Sequence, residues 1–300
     1  MKESEFFSPY RSDGKLFGFV CVVTGSSSPI GKAVLHELAA HGAANLFACI
    51  PTSSTADVGD ALLKEMTEVY PNTKVVPYPL DVTDENDTLA FIDNILDDCG
   101  RLDVWVCASG LLGPASIEDT GPPQIQKCFE VNTVAPFLAL KYARRAMEKT
   151  CGKKNYPNSA PKDSPYGSII VIGSIASTYG GCWGPAYTMS MHAALGVVRS
   201  GVAVLKGSNI RINAISPGQI DIGIDLSKFD MRGMSDALPP AQLQSKEAQK
   251  ANIGLERVGN PIEVARVAGF LASGFSAYIT GCNMVVDGGA STMCPLTSPI

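Results

Sequence analysis

The apolar residues of this chain form short runs that alternate with segments of helical periodicity. The run LFGFVCVVT, from Leu16 to Thr24, is continuous and rich in β-branched residues, which is typical of a strand buried on both faces of a parallel sheet. Similar runs occupy 45–50, 74–78, 102–107, 169–172, 210–215 and 283–286. Helical spacing occupies 32–42, 56–69, 85–99, about 123–147, a stretch from 185 onward, and 261–273. This alternation predicts parallel strands joined by right-handed crossovers, and therefore a doubly wound α/β sheet with helices on both faces.

The domain organisation follows from where this pattern is interrupted. Residues 1–15 are polar and aperiodic, which predicts an N-terminal extension, and residues 16–300 form one predicted domain without internal repeats. The stretch 151–167 is rich in Pro, Gly, Ser and Lys and predicts a surface loop. Residues 219–251 are polar and Met-rich, contain paired prolines and follow a strand, so they are expected to form a lid over a substrate pocket.

Composition narrows the class of protein. The 300 residues are 45% hydrophobic and 18% charged, as in globular proteins, and no apolar run is long enough to span a membrane. Because the N-terminus is too polar for a signal peptide, we expect a cytoplasmic protein. The nine cysteines lack metal-ligand spacing, so reduced core thiols and no metal site are expected. A net charge of -5 without a Lys/Arg cluster argues against nucleic acid or membrane partners.

Two stretches carry candidate chemistry. In the first, the strand ending at Ile172 leads to Ser174, and the next helix carries Tyr187. A hydroxyl at the C-terminal end of a parallel strand, facing a second hydroxyl on the following helix, is a common way for open α/β sheets to build a reaction site. In the second, TGSSSPIG follows the first strand and precedes a helix, so Gly25 and Gly31 would let a dinucleotide pyrophosphate approach helix N–H groups.

The whole set of motifs resembles the short-chain dehydrogenase/reductase family over about residues 16–290. TGSSSPIG is similar to the family's TGxxxGxG turn, LDV at 80–82 to its adenine-contacting loop, and CASG at 107–110 to its NNAG segment. FEVNTVAPF contains the asparagine, Ser174 and Tyr187 have the family's spacing of thirteen, and Pro217-Gly218, RVGNP at 257–261 and VVDGG at 285–289 follow in order. The resemblance implies a Rossmann-type fold, a small-molecule substrate and a homodimer or homotetramer.

The resemblance also implies roles for individual residues. Tyr187 would be the general acid or base, Ser174 would hold the substrate oxygen, and Asn132 would organise water or backbone at the site. The implied cofactor-binding residues are Gly25, Ser27, Ile30, Gly31, Thr52, Ser53, Asp81, Val82, Ser109, Gly110, Pro217 and Gly218.

Cofactor choice is predicted from the end of the second strand. An acidic side chain there would bind the ribose 2′-hydroxyl and select NAD. This chain has Ile50-Pro51-Thr52-Ser53-Ser54 instead, with no acid to repel a 2′-phosphate, so NADP(H) is favoured over NAD(H). A solvated turn that selects neither cofactor remains open.

The sequence departs from the family on the nicotinamide side. The family's lysine, four residues after the tyrosine, is replaced by Met191, and the threonine after Pro-Gly is replaced by Ile222. Methionine neither donates a hydrogen bond nor carries the charge that lowers the pKa of the tyrosine from about 10. His192 is turned about 100° around the helix axis and is not expected to substitute for the lysine. Lys141, Arg144 or Arg145 on the preceding helix could reach the pocket, although a solvated face is favoured for them.

Three functions therefore stay open. The first is an NADP(H)-dependent carbonyl reductase or alcohol dehydrogenase acting on a medium-sized apolar molecule. The second is a redox-neutral isomerase, dehydratase or cyclase on the same scaffold, favoured by the loss of the lysine. The third is a dinucleotide-binding protein without catalysis. An apolar substrate is suggested by Met231, Met234, Leu238, Trp183 and Tyr179, although these residues are equally compatible with core or surface positions.

Overall fold

The fold is built on a seven-stranded, wholly parallel sheet. The computed structural model describes residues 13–54, 56–152, 161–180, 183–223 and 250–293. The strands are β1 Val20–Thr24, β2 Asn45–Ile50, β3 Lys74–Pro79, β4 Val104–Cys107, β5 Gly167–Ile172, β6 Ile210–Pro217 and β7 Asn283–Val286. Their order across the sheet is β3-β2-β1-β4-β5-β6-β7, the doubly wound arrangement predicted from the alternation of strands and helices.

Within the described ranges, six long helices lie between the strands. They are α1 Pro29–Ala40, α2 Ala56–Val69, α3 Glu85–Cys99, α4, which runs from Pro122 to Met147, α5 Pro185–Val204 and α6 Pro261–Ala272. Helix α4 consists of three α-helical pieces separated by π-helical segments at Glu130–Val134 and Ala139–Ala143. Helix α1 begins three residues before the predicted position because Pro29 suits a first helical turn and Ser28 caps it.

The core lies in two layers, one on each face of the sheet. Helices α1, α2 and α6 bury residues such as Leu35, Met66 and Val264 against one face. Helices α3, α4 and α5 bury residues such as Phe91 and Leu195 against the other. Apolar side chains of the central strands therefore point into apolar layers on both sides, which is why these strands appear in the sequence as continuous apolar runs.

Within the predicted surface loop at 151–167, Lys162 and Tyr166 are buried, and Gly167 already belongs to β5. The Lys162 ammonium donates to the carbonyl oxygens of Leu102 and Tyr166 at 2.6 and 2.8 Å and lies 3.3 Å from an Asp103 carboxylate oxygen. Arg101 also binds that carboxylate, through two hydrogen bonds of 2.9 and 3.0 Å. Because the buried ammonium has these partners, Lys162 is fixed beside the start of β4.

Two other predicted segments fall largely outside the described residues. Of the predicted N-terminal extension, residues 1–12 are not described, and of the predicted lid, residues 224–249 are not described, Met231, Met234 and Leu238 among them. The extension, lid and loop boundaries therefore stay predictions.

The register of the sheet brings the predicted site residues to one edge. Thr24 pairs with Cys107, Cys107 with Val171, and Ile172 with Ile215. Strands β1, β4 and β5 end at or next to this level and β6 ends two residues beyond it, at Pro217, so the loops that follow them begin close together. This C-terminal edge is where doubly wound sheets bind ligands.

Candidate active site

In the turn between β1 and α1, the backbone packs closely against other backbone segments. Gly25 has φ +65°, and a Cβ atom there would lie 2.6 Å from the carbonyl oxygen of Ala108. A Cβ atom on Gly31 would collide with the carbonyl oxygen of Gly25. The Ser26 hydroxyl donates to the carbonyl oxygen of Cys49 at 2.8 Å, which ties the turn to β2. Both glycines are therefore required by the geometry of the turn.

The first turn of α1 leaves one backbone donor for a ligand. Pro29 has no N–H, the Gly31 N–H donates to the Ser28 hydroxyl at 3.0 Å, and the Lys32 N–H donates to the Ser28 carbonyl at 2.8 Å. N–H groups in the first turn of a helix have no intrahelical acceptor, so Ile30 retains a donor at the positive end of the helix dipole. This arrangement fits one pyrophosphate oxygen. Ser27, the neighbouring predicted residue, is exposed.

The predicted adenosine side lies along the ends of β2, β3 and β4. Asp81 is exposed, and its carboxylate accepts hydrogen bonds from the Thr83 hydroxyl at 2.6 Å and the Thr83 N–H at 2.9 Å. The hydroxyl bond, followed by the N–H bond, holds the pKa of Asp81 below its usual value. Val82 and Ser109 line the same small cavity, while Thr52 and Ser53 are exposed after β2. The structure thus brings these predicted residues to neighbouring strand ends.

Ser174 directly follows β5 and begins a 3-10 turn, Ile175–Ser177. Its hydroxyl oxygen accepts the N–H of Ala176 at 3.1 Å, and the residue is half-buried. The short turn packs against α5, the helix that carries Tyr187. Because the Ser174 oxygen accepts a backbone N–H, its hydroxyl proton is directed away from that bond and can be donated to a ligand.

The start of α5 is fixed by close packing. Gly184 has φ +87°, and a Cβ atom there would lie 2.6 Å from the carbonyl oxygen of Ala115, so the loop after β4 is pressed against the helix start. Trp183 precedes it with φ +57°, an unusual conformation for a bulky residue. Tyr187 is half-buried in the first turn of this helix. Tyr179, by contrast, is 44% exposed.

Asn132 joins the loop after β4 to the helix of Tyr187. Its amide oxygen accepts the Leu111 N–H at 2.8 Å, and its amide nitrogen donates to the Leu111 carbonyl at 2.8 Å and to the Ser190 hydroxyl at 2.9 Å. Ser190, which is fully buried, donates in turn to the Tyr187 carbonyl at 2.9 Å. Sequence analysis missed Ser190, although its position three residues after Tyr187 places both on neighbouring turns of one helix face.

Met191 is 4% exposed, so an apolar side chain is buried one turn after Tyr187. His192 is exposed, and its Nδ1 lies 2.9 Å from the Thr188 carbonyl on the outer side of the helix. On α4, Lys141 pairs with Glu85 at 2.7 Å and Arg144 with Glu148 at 2.8 Å, and Arg145 is exposed. Lys141 and Arg144 are therefore engaged by carboxylates on α3 and at the end of α4.

The end of β6 closes the site on its other side. The Gly218 N–H donates to the Val286 carbonyl at 3.0 Å, and a Cβ atom on Gly218 would lie 2.5 Å from Cβ of Asp287. Pro217 pairs with Val286 in the sheet, and Ile222 is half-buried. Gly110 is exposed, with Asn132 Oδ1 3.8 Å from where its Cβ atom would be.

The cysteines and charged residues of the described part show no metal centre. No group of three or more His, Cys, Asp or Glu side chains within those residues is arranged to hold a metal ion. Cys107, at the end of β4, is fully buried, and burial raises the pKa of its thiol to about 12. The seven described cysteines are free thiols, five of them buried. Among the described helices, none combines the length and apolar character needed to cross a membrane.

Comparison with known proteins identifies the family. Residues 25–291 match the family described as enoyl-(acyl carrier protein) reductase. The chain is 32% identical to (+)-borneol dehydrogenase 2 of Salvia officinalis over 94% of its own length and 92% of that protein. It is 31% identical to the 3-oxoacyl-(acyl-carrier-protein) reductase FabG of Thermotoga maritima, covering 92% and 98% of the two chains. A dehydrogenase/reductase from Sinorhizobium meliloti 1021 superposes with a TM-score of 0.74 at 26% identity, covering 92% and 96%.

This chain therefore belongs to the short-chain dehydrogenase/reductase family, with the Rossmann-type fold expected of it. Its relatives are oxidoreductases that use nicotinamide dinucleotides, which supports an enzyme.

Proposed function

We propose that this chain is an NADP(H)-dependent oxidoreductase that reduces a carbonyl group of a medium-sized apolar molecule. One observation carries the proposal. Two hydroxyl-bearing residues, Tyr187 and Ser174, lie at the same edge of the sheet as the Gly-rich turn that would bind a dinucleotide. The dinucleotide would supply the hydride. The absence of an acid after β2, where Thr52 and Ser53 are exposed, favours the phosphorylated cofactor.

The side chains have distinct roles in this proposal. The Ile30 N–H would donate to the pyrophosphate, and the absence of side chains at Gly25 and Gly31 would let the pyrophosphate approach the turn. Ser174 keeps its proton and donates a hydrogen bond from its hydroxyl to the substrate carbonyl oxygen, since a backbone N–H already occupies one of its lone pairs. Tyr187 donates its phenolic proton to the same oxygen as charge develops there. Two hydrogen-bond donors held in position stabilise the developing oxyanion, and no charged side chain is required for this.

Asn132 and Ser190 act by positioning. Asn132 joins Leu111 to Ser190, and Ser190 holds the main chain of Tyr187. The tyrosine is thereby held in a fixed orientation relative to the loop after β4, and orientation of a reacting group contributes to rate.

Met191 limits how Tyr187 can act in this proposal. Methionine carries no charge and donates no hydrogen bond, so position 191 gives a tyrosinate no electrostatic support. Tyr187 therefore acts as a neutral proton donor, which is the role that carbonyl reduction requires. An apolar substrate agrees with the similarity to a borneol dehydrogenase.

The test is the oxidation of NADPH, followed at 340 nm, with a panel of apolar alicyclic and aromatic ketones. Tyr187→Phe and Ser174→Ala should each lower the rate by about a hundredfold or more. Tyr278→Phe is the matched control, because this tyrosine is fully exposed and is not among the residues assigned to the site. Measurable NADPH binding without any ketone-dependent absorbance change would count against the reductase.

The buried Met191 favours one second candidate, a redox-neutral isomerase, dehydratase or cyclase in which the dinucleotide is structural. It predicts product formation with no net NADPH consumption, and the same two substitutions should abolish it. Turnover that requires stoichiometric NADPH excludes this candidate. A purely dinucleotide-binding protein is excluded by any turnover that a single Tyr187 or Ser174 substitution removes.

A further inference from the structure

A second cavity, of about 550 Å³, lies away from the candidate active site. It is formed by the last turn of α5, the loop to β6, the first residues of β6 and residues near Ala277, and we call it the basal groove. Ile210, the first residue of β6, lines it, whereas Pro217, the last, belongs to the candidate active site. A strand of this length spans about 23 Å, so the two sites lie at opposite edges of the sheet.

The basal groove has an apolar wall and a cationic rim. Val202, Ala203 and Ala277 contribute accessible apolar surface, and Leu205 and Ile210 lie beneath them. Arg199 and Lys206 are exposed and line the same cavity, which contains no acidic lining residue. Arg211 also lines it and is almost fully buried, with its guanidinium donating to the Leu271 carbonyl at 2.7 Å.

The cationic rim has a charge surplus. Within the described ranges, neither Arg199 nor Lys206 has a carboxylate at ion-pair distance. The C-terminus of α5 offsets part of their charge, but a helix end is equivalent to only about -0.5 elementary charge. The two side-chain cations therefore leave a net charge of roughly +1.5 elementary charges at the rim after this offset, with Arg211 not included. In a chain with a net charge of -5, this local surplus points to an anionic ligand.

We propose that the basal groove binds a small amphipathic anion, an apolar body carrying a carboxylate, sulfonate or phosphate. The apolar body would lie against Val202, Ala203 and Ala277, and the anionic group would lie between Arg199 and Lys206. The volume is within the range of small-molecule sites, and apolar lining with a few convergent charges is typical of them. This inference is independent of the proposed reductase function.

The test is a fluorescence titration with 8-anilinonaphthalene-1-sulfonate, a probe that combines an apolar body with one sulfonate. The double variant Arg199→Glu/Lys206→Glu should bind the probe at least about tenfold more weakly, which corresponds to 1.4 kcal/mol. Its matched control is Lys64→Glu/Lys149→Glu, which reverses two exposed cations outside the groove and should leave the affinity unchanged. Decanoate should displace the probe, and decan-1-ol should compete much less effectively.

A pair of tryptophan substitutions tests where the probe binds. Ala203→Trp should abolish probe binding because Ala203 lines the groove, whereas Val204→Trp should not, because the exposed Val204 is adjacent but does not line it. If charge reversal prevents folding, as judged by thermal unfolding, Arg199→Gln/Lys206→Gln replaces it, with a smaller expected loss. Equal affinity in the charge variant and its control, or equal loss in both tryptophan variants, overturns the proposal. So does sedimentation showing that only Ala203→Trp dissociates an oligomer, because a second copy would then cover the groove.

Discussion

Replacing Met191 by lysine introduces an ammonium one helical turn from Tyr187 and tests how this site works without one. Side chains four residues apart have Cβ atoms about 6 Å apart, and two unit charges at that distance interact by about 2.8 kcal/mol at an effective dielectric constant of 20. This energy corresponds to a decrease of about two units in the pKa of the tyrosine. At pH 7 the tyrosinate fraction would then rise about a hundredfold.

The assay has two readouts. The first is the pH dependence of tyrosinate absorbance at 295 nm, with the Tyr187→Phe version of each protein subtracted. The second is the rate in each direction, together with NADPH and NADP⁺ titrations by calorimetry. Alcohol oxidation near pH 7 should gain at least about tenfold, since it uses the tyrosinate as base. Ketone reduction should gain with it, after the measured NADPH and NADP⁺ affinities are taken into account, because both directions share one transition state. Reductase activity that appears only in the lysine variant would indicate that the native reaction is a different one.

The control is Met189→Lys, on the same helix. Met189 is 42% exposed, whereas Met191 is 4% exposed, so the two variants differ in whether the new ammonium is placed at a solvent-exposed or a buried position of the helix. Burying an ammonium also costs stability, and the Met191 variant should therefore have the lower melting temperature. If both variants give the same tyrosine titration and the same pH profile, the reasoning about position 191 is refuted.

Three further substitutions test the supports of the site and fold. Ser190→Ala removes the link between Asn132 and α5 and should lower the free energy of unfolding by about 1–2 kcal/mol in urea titration, with a lower kcat and little change in KM. Gly25→Ala places a methyl group 2.6 Å from the Ala108 carbonyl at φ +65°, and calorimetry should show dinucleotide binding weakened by at least about tenfold; unchanged binding would contradict the proposed turn. Burial lowers the pKa of Lys162, so the unfolded chain binds more protons than the folded one just below the unfolded value of about 10.4, and stability should rise with pH there. Lys162→Met should flatten that rise in urea titrations between pH 8 and about 10, and an unchanged slope would contradict it.

The sequence by itself determined the sheet. Runs such as Val20–Thr24 are apolar at every position because both faces of a central parallel strand are covered, and this signal is local. The Gly-rich turn and the spacing of Ser174 and Tyr187 are also local patterns. They were therefore sufficient to predict a candidate site at the C-terminal edge of the sheet. The predicted helix boundaries were less accurate. Helix α1 starts at Pro29 because its N-cap residue, Ser28, lies inside the Gly-rich turn.

Other features depend on residues that are distant in the chain. The sequence around Lys162 does not indicate that this lysine is buried beside Asp103. Asp103 and Leu102, which bind the ammonium, lie much earlier in the chain, directly before β4. Ser190 matters only because Asn132 reaches it from α4, and the basal groove exists only where α5 and the start of β6 meet the segment near Ala277.

At Met191 both kinds of information were needed. The sequence determined that the residue one turn after Tyr187 carries no charge and donates no hydrogen bond, because those are properties of the side chain itself. Only the tertiary structure decided that this methionine is buried and that Lys141 and Arg144 pair with carboxylates elsewhere. The reason is physical: composition fixes which charges a chain possesses, while packing fixes which of them can approach a given atom.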